Sequence, residues 1–114
     1  MKIWLDDVRP APEGYFHCLT VEHAKSIIEL WEANQNKNRL DIPIIMLEYG
    51  VDIELIDIDH DAGIFAPLGG DYIKLLDWLE ETGRNYPIHI HSMNPVGIEN
   101  MRRIIQKNGW EEVK

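Results

Sequence analysis

Three apolar runs along the chain end in polar, titratable residues. Lys2-Ile3-Trp4-Leu5 runs into Asp6-Asp7. Ile56-Asp57-Ile58 runs into Asp59-His60-Asp61 and stops at Gly63. Ile88-His89-Ile90 runs into His91-Ser92-Met93-Asn94-Pro95. Short β-type runs bounded by turn residues predict buried strands over residues 2–5 and 87–91. Val51, Ile53 and Leu55 alternate with acids, and then Ile56 and Ile58 do so in the opposite phase. That flip predicts a strand ending near Ile58 with a bend or bulge near residue 55. A further strand is predicted over residues 15–19, after a loop in which Pro10, Pro12 and Gly14 favour extended and turning backbone. The loop is short for a parallel crossover, but an extended segment of about eight residues spans roughly 26 Å. A last short strand is predicted over residues 110–113, which makes five.

Helical spacing fills the gaps. Thr20 is placed to cap a helix with Val21, Ala24, Ile27, Ile28 and Trp31 on its apolar stripe, fading over residues 34–38. Residues 39–50 are apolar enough for a buried strand or a short helix, and periodicity does not choose between them. After a glycine-rich loop over residues 62–70, Asp71 is placed to cap a helix carrying Tyr72, Leu75, Leu76 and Leu79, with Gly83 as its stop. Asn94 as cap, Pro95 at the first helical position and Gly109 just past the end frame a third helix, with Ile98, Met101, Ile104 and Ile105 inward. Strands alternating with helices predict a single α/β domain over residues 1–114 with a mostly parallel sheet. In such folds ligands bind beyond the carboxyl ends of the strands. The three polar strand ends are therefore expected to converge on one rim.

The residues at that rim define its candidate chemistry. Carboxylates suit a hard cation such as Mg²⁺ or Mn²⁺, and Asp6 and Asp7 at one strand end with Asp59 at another form a candidate ligand set. Asp59 and Asp61, alternate residues on an extended segment, share a side. Histidine as a residue type can gain or lose a proton near neutral pH, so His60 is a candidate to move one. His91 lies nearer the edge than His89, which reads as a core histidine. Asn94 opens a helix whose free N–H groups suit an anion, although it also reads simply as a cap. Arg9 can clamp a phosphate or pair with a carboxylate, and Asn100 is a further candidate contact or an exposed helix position. Cys18 and the four tryptophans read as core.

Charge narrows the partners. The 114 residues carry a formal net charge of −9, which argues against an extended nucleic acid and leaves room for one terminal phosphate held through a divalent cation. A single cysteine excludes an internal disulfide. No apolar run approaches the roughly 20 residues of a membrane span, and no signal-peptide core follows Met1, so a cytoplasmic location is expected.

Taken together, Leu5-Asp6-Asp7-Val8-Arg9-Pro10, Asp59-His60-Asp61 before glycine, and His91-Ser92-Met93-Asn94-Pro95-Val96-Gly97 with Glu99-Asn100-Met101 resemble the cyclic-phosphate processing receiver-like domain, a divergent relative of the response-regulator receiver. The resemblance covers nearly the whole chain. It implies a flavodoxin-like three-layer sandwich with strand order 2-1-3-4-5. It places Asp6, Asp7 and Asp59 where receivers hold Mg²⁺ and the phosphorylated aspartate, and Ser92 where they place a hydroxyl on the phosphoryl group. It also implies action on cyclic phosphates, such as an RNA terminus carrying a 2′,3′-cyclic phosphate. The resulting expectation is a metal-assisted phosphoesterase. Asp6, Asp7 and Asp59 would hold the metal, and His60 and His91, with Asp61 beside them, would move protons. Arg9, Ser92, Asn94 and Asn100 would hold the substrate. The alternative is a non-catalytic module that binds a phosphorylated ligand or accepts phosphate on Asp59. Two departures stand out: no lysine follows the last predicted strand, as a receiver switch requires, and residues 34–50 look like an insertion open to partner or homo-oligomer contacts.

Overall fold

The computed structural model describes residues 1–35, 37–38 and 40–114. The elements run β1 (Lys2–Leu5), β2 (Tyr15–Cys18), α1 (Val21–Ala33), α2 (Ile44–Tyr49), β3 (Leu55–Ile58), a 3₁₀ turn (Gly63–Phe65), α3 (Ile73–Glu81), β4 (Ile88–Ile90) and α4 (Pro95–Asn108). The sheet has the order β2-β1-β3-β4 and every pair is parallel. This is an α/β architecture consistent with the receiver and flavodoxin-like pattern. The fifth expected strand is reduced to one bridge, Ile88 to Glu112, closed by backbone bonds from Ile88 N–H to Glu111 and from Val113 N–H to Ile88. A single paired residue beside β4 is too short to count as a strand.

Strand register sorts the side chains onto two faces. Ile3 pairs with Phe16 and Ile56, Leu5 with Cys18 and Ile58, and Ile56 with Ile88. Ile3, Leu5, Cys18, Ile56, Ile58 and Ile88 join one apolar core with residues from all four helices, among them Ile28, Trp31, Met46, Leu76 and Met101. The opposite face carries the row His17, Trp4, Asp57, His89 and stands outside that core. The helices therefore form one layer on one face, where three layers were expected. The physical reason is the direct passage from β1 to parallel β2 over residues 6–14, with no helix there to cover the second face.

Local signals explain most boundaries. The Thr20 side chain accepts from His23 N–H at 2.9 Å, and Asn94 Oδ1 accepts from Gly97 N–H at 3.0 Å, so both helices open on the expected caps. Gly109 takes the left-handed conformation that ends α4, with φ at 68°. Two expectations change, and one open choice is resolved. Residues 51–54 lie outside any strand, and β3 pairs with β1 without interruption from Leu55 to Ile58, so the phase flip marks the strand's start and no bulge. The ambiguous segment becomes α2, entered from Pro43, with only Met46 buried; Asn36 and Arg39, within the proposed fade and insertion, lie outside the described residues. Asp71 does not cap α3: its Oδ1 accepts from Ala62 N–H at 3.0 Å and ties the loop down. Among the described residues no helix is long and apolar enough to cross a membrane.

Candidate metal and phosphate site

The sheet ladder continues one residue past the strands and draws three ends together. Asp59 N–H donates to Leu5 carbonyl, and His91 N–H to Ile58 carbonyl, each at 2.9 Å. Asp6, Asp7 and Asp59 consequently offer one carboxylate oxygen each, all within 4.8 Å of one another, with Asp6 buried and the other two partly so. Three hard oxygen donors at that spacing fit a divalent cation such as Mg²⁺ or Mn²⁺, which keeps water at its remaining positions. The same three negative charges act on Tyr72, buried in the turn that opens α3, whose hydroxyl donates to Leu19 carbonyl at 2.8 Å. Burial, then the carboxylates of Asp7, Asp6 and Asp59, push its pKa well above the ordinary tyrosine value.

Asp6 is held on every side. Its Oδ1 accepts from the backbone N–H groups of Val8 and Arg9 at 2.8 and 2.9 Å, a turn fixed by its own side chain. Its Oδ2 faces His91 Nε2 at 3.0 Å. Burial alone would raise the Asp6 pKa, but the two backbone donors and His91 outweigh it and hold the carboxyl below its usual range. His91 Nδ1 faces Asp57 Oδ1 in turn. Two carboxylates flanking one imidazole are both satisfied when each ring nitrogen carries a proton. The ring also stacks flat on Trp4, with centroids 3.8 Å apart and planes at 3°. Trp4 Nε1 donates to Arg9 carbonyl at 3.0 Å, Arg9 donates through its guanidinium to His91 carbonyl at 2.8 Å, and His17 Nε2 meets Asp6 carbonyl at 2.7 Å.

The other candidates fall into distinct places. His60 Nδ1 faces Asp61 Oδ1 at 2.8 Å, and its ring lies on the first turn of α4. A Cβ on Gly97 would fall 2.5 Å from His60 Cγ, so the glycine makes that seat. Gly63, at φ 56°, plays the same part for Asp7, because a Cβ there would fall 2.3 Å from Asp7 Oδ2. Asn94 Nδ2 stands 3.5 Å from His60 Nδ1, and Ser92 Oγ accepts from Asn94 N–H at 3.1 Å, leaving its own hydroxyl proton free to be donated. Asp61 is exposed, and among the described residues its side-chain hydrogen bond is to His60. Asn100 is exposed on α4, and among the described residues its side-chain hydrogen bond is to Arg103 at 3.5 Å, away from the acidic group.

Two site residues escape the sequence pattern. Asp57 sits inside a buried apolar strand, and Trp4 reads as core; their shared register with His89 and His17 is what puts them beside His91. The available signal was the polar phase of β3: an aspartate between two buried isoleucines needs a buried partner. No buried side-chain nitrogen or oxygen among the described residues lacks a hydrogen-bond partner.

No curated protein and no solved structure gives a significant match to this chain. A family profile does, over residues 1–107, and it covers all three strand ends described above. By that match, the chain belongs to the cyclic-phosphate processing receiver domain family.

Proposed function

We propose that this domain is a metal-assisted phosphoesterase that opens cyclic phosphates such as 2′,3′-cyclic phosphate termini. The observation that carries the reading is the approach of Asp6, Asp7 and Asp59 to within 4.8 Å on a rim that also presents two histidines. Mg²⁺ or Mn²⁺ bound by these carboxylates would neutralise phosphate charge and orient water. His60 takes the proton from the attacking water. No described residue bonds its Nε2, while Asp61 fixes the ring through Nδ1. His91 is the acid: Asp57 and Trp4 hold its ring at the cluster's edge, with Nε2 beside Asp6, and it gives a proton to the leaving oxygen. The free guanidinium nitrogens of Arg9 and the Ser92 hydroxyl bind non-bridging oxygens, and Asn94 keeps the start of α4 in place beneath them. The family match supports a role in cyclic-phosphate processing.

The test is incubation of the protein with 2′,3′-cyclic nucleotides and Mg²⁺ or Mn²⁺, beside the His60→Ala and Asp59→Asn variants. Turnover in the wild type and its loss in both variants is expected; no turnover by any of them removes the reading. Acetyl phosphate labelling separates the receiver-module alternative, which a stable phosphate adduct lost in Asp59→Asn would favour.

A further inference from the structure

The ladder between β3 and β4 stops one rung early. Ile56 N–H donates to Pro87 carbonyl, and His91 N–H donates to Ile58 carbonyl, each at 2.9 Å. A parallel ladder repeats every two residues, so its next rung would join His60 N–H to His91 carbonyl. His60 N–H donates elsewhere, to Asp59 Oδ1 at 2.8 Å. The His91 carbonyl is thereby left without its sheet donor. The Arg9 guanidinium takes that place, donating through Nη1 at 2.8 Å. Among the described residues no other side chain bonds this carbonyl.

The replacement comes from a strand that is not a neighbour. Arg9 follows β1, and β3 lies between β1 and β4. Its side chain therefore reaches across the end of β3. The His91 ring bridges the same span, lying on Trp4 and facing Asp6. Residue 9 touches all three of these partners through different groups. Its N–H donates to Asp6 Oδ1 at 2.9 Å, its carbonyl accepts from Trp4 Nε1 at 3.0 Å, and its guanidinium holds His91. The first two are backbone groups, which most residues would supply at this position. Only the third needs the arginine side chain. Water in its place would satisfy the carbonyl without drawing the end of β4 toward β1.

We propose that Arg9 is a positioning residue: its side chain replaces the missing rung and keeps the His91 ring in place between Trp4 and Asp6. This role differs from a phosphate contact through the free guanidinium nitrogens, because it operates in the protein without any ligand. Only its effect on turnover rests on the phosphoesterase reading given above.

The test compares wild type, Arg9→Met and Arg9→Lys by NMR, first with neither metal nor substrate. Protons of an imidazole lying flat on an indole are shielded by its ring current. Arg9→Met keeps a long side chain and lacks the donor, so the His91 ring signals are expected to move downfield. The Trp4 indole N–H and the Val8 amide, bonded to the Arg9 carbonyl and to Asp6, are expected to keep their slow exchange. Arg9→Lys retains a charged donor and is expected to recover part of the shift. His91 signals that stay in place in Arg9→Met overturn the proposal. So does fast exchange at Trp4 and Val8 in both variants, which would mean that the whole turn depends on the side chain. Turnover of 2′,3′-cyclic AMP with Mg²⁺ is then expected to lose about tenfold in kcat in Arg9→Met. A rise in KM alone, with His91 unmoved, leaves Arg9 to the phosphate and removes the positioning role. Shifted His91 signals in a protein whose wild type hydrolyses nothing keep the positioning role and remove the phosphoesterase reading.

Discussion

At the residue scale the centre of the molecule is His91, boxed between Asp6 and Asp57 and lying on Trp4. Removing its imidazole would leave two buried carboxylates without the ring that each now faces. Breaking a buried ion pair in this way costs about 3–5 kcal/mol. His91→Ala is therefore expected to lose at least about 3 kcal/mol in urea unfolding at neutral pH, and a loss below about 1 kcal/mol would show that the box is not under electrostatic tension. The sequence displayed Asp6, Asp59 and His91 openly because each follows an apolar run. It concealed Asp57 because a strand interior gives no local sign of which face a polar residue meets. Trp4 was hidden for the opposite reason: an indole in an apolar run looks like core filling, whereas here it is a platform for an imidazole.

Among the elements, α4 does the most positioning. Its cap, Asn94, and its buried Gly97 place the head of the helix under His60. Gly97→Ala should favour the helix by up to about 1 kcal/mol, but its new methyl collides with the His60 ring. The expected result is stability within about 1 kcal/mol of wild type, with about a hundredfold loss of turnover and displaced His60 ring signals in the NMR spectrum. Unchanged His60 signals would contradict the seat described here. The caps of α1 and α4 were legible because capping is local chemistry. Residues 51–54 and 110–113 were not, because a short local run cannot say how far a neighbouring strand pairs with it. Asp71 failed as a cap for a similar reason: the loop nine residues upstream competed for its oxygen.

For the whole molecule, the convergence of three strand ends was readable because a parallel sheet aligns its carboxyl ends, whatever the strand count. The missing second helical layer was not, since it depends on how the nine residues after β1 return to β2. A site that gathers three carboxylates on a chain of net charge −9 should be stabilised by a divalent cation. Mg²⁺ or Mn²⁺ at about a hundredfold excess over its Kd is expected to raise unfolding stability by about 2.7 kcal/mol. A chelator should reverse the gain and Asp59→Asn should abolish most of it. An equal gain from sodium chloride at matched ionic strength would mean general screening in place of a site.

The flat stacking of Trp4 on His91 also gives the protein its own optical gauge. An indole stacked flat on an imidazole emits weakly, so Trp4 should be dim while the box is closed. A cation or anion that draws Asp6 away loosens the ring, and the emission should brighten on binding. Trp4→Phe should erase that change while the light from the remaining tryptophans persists.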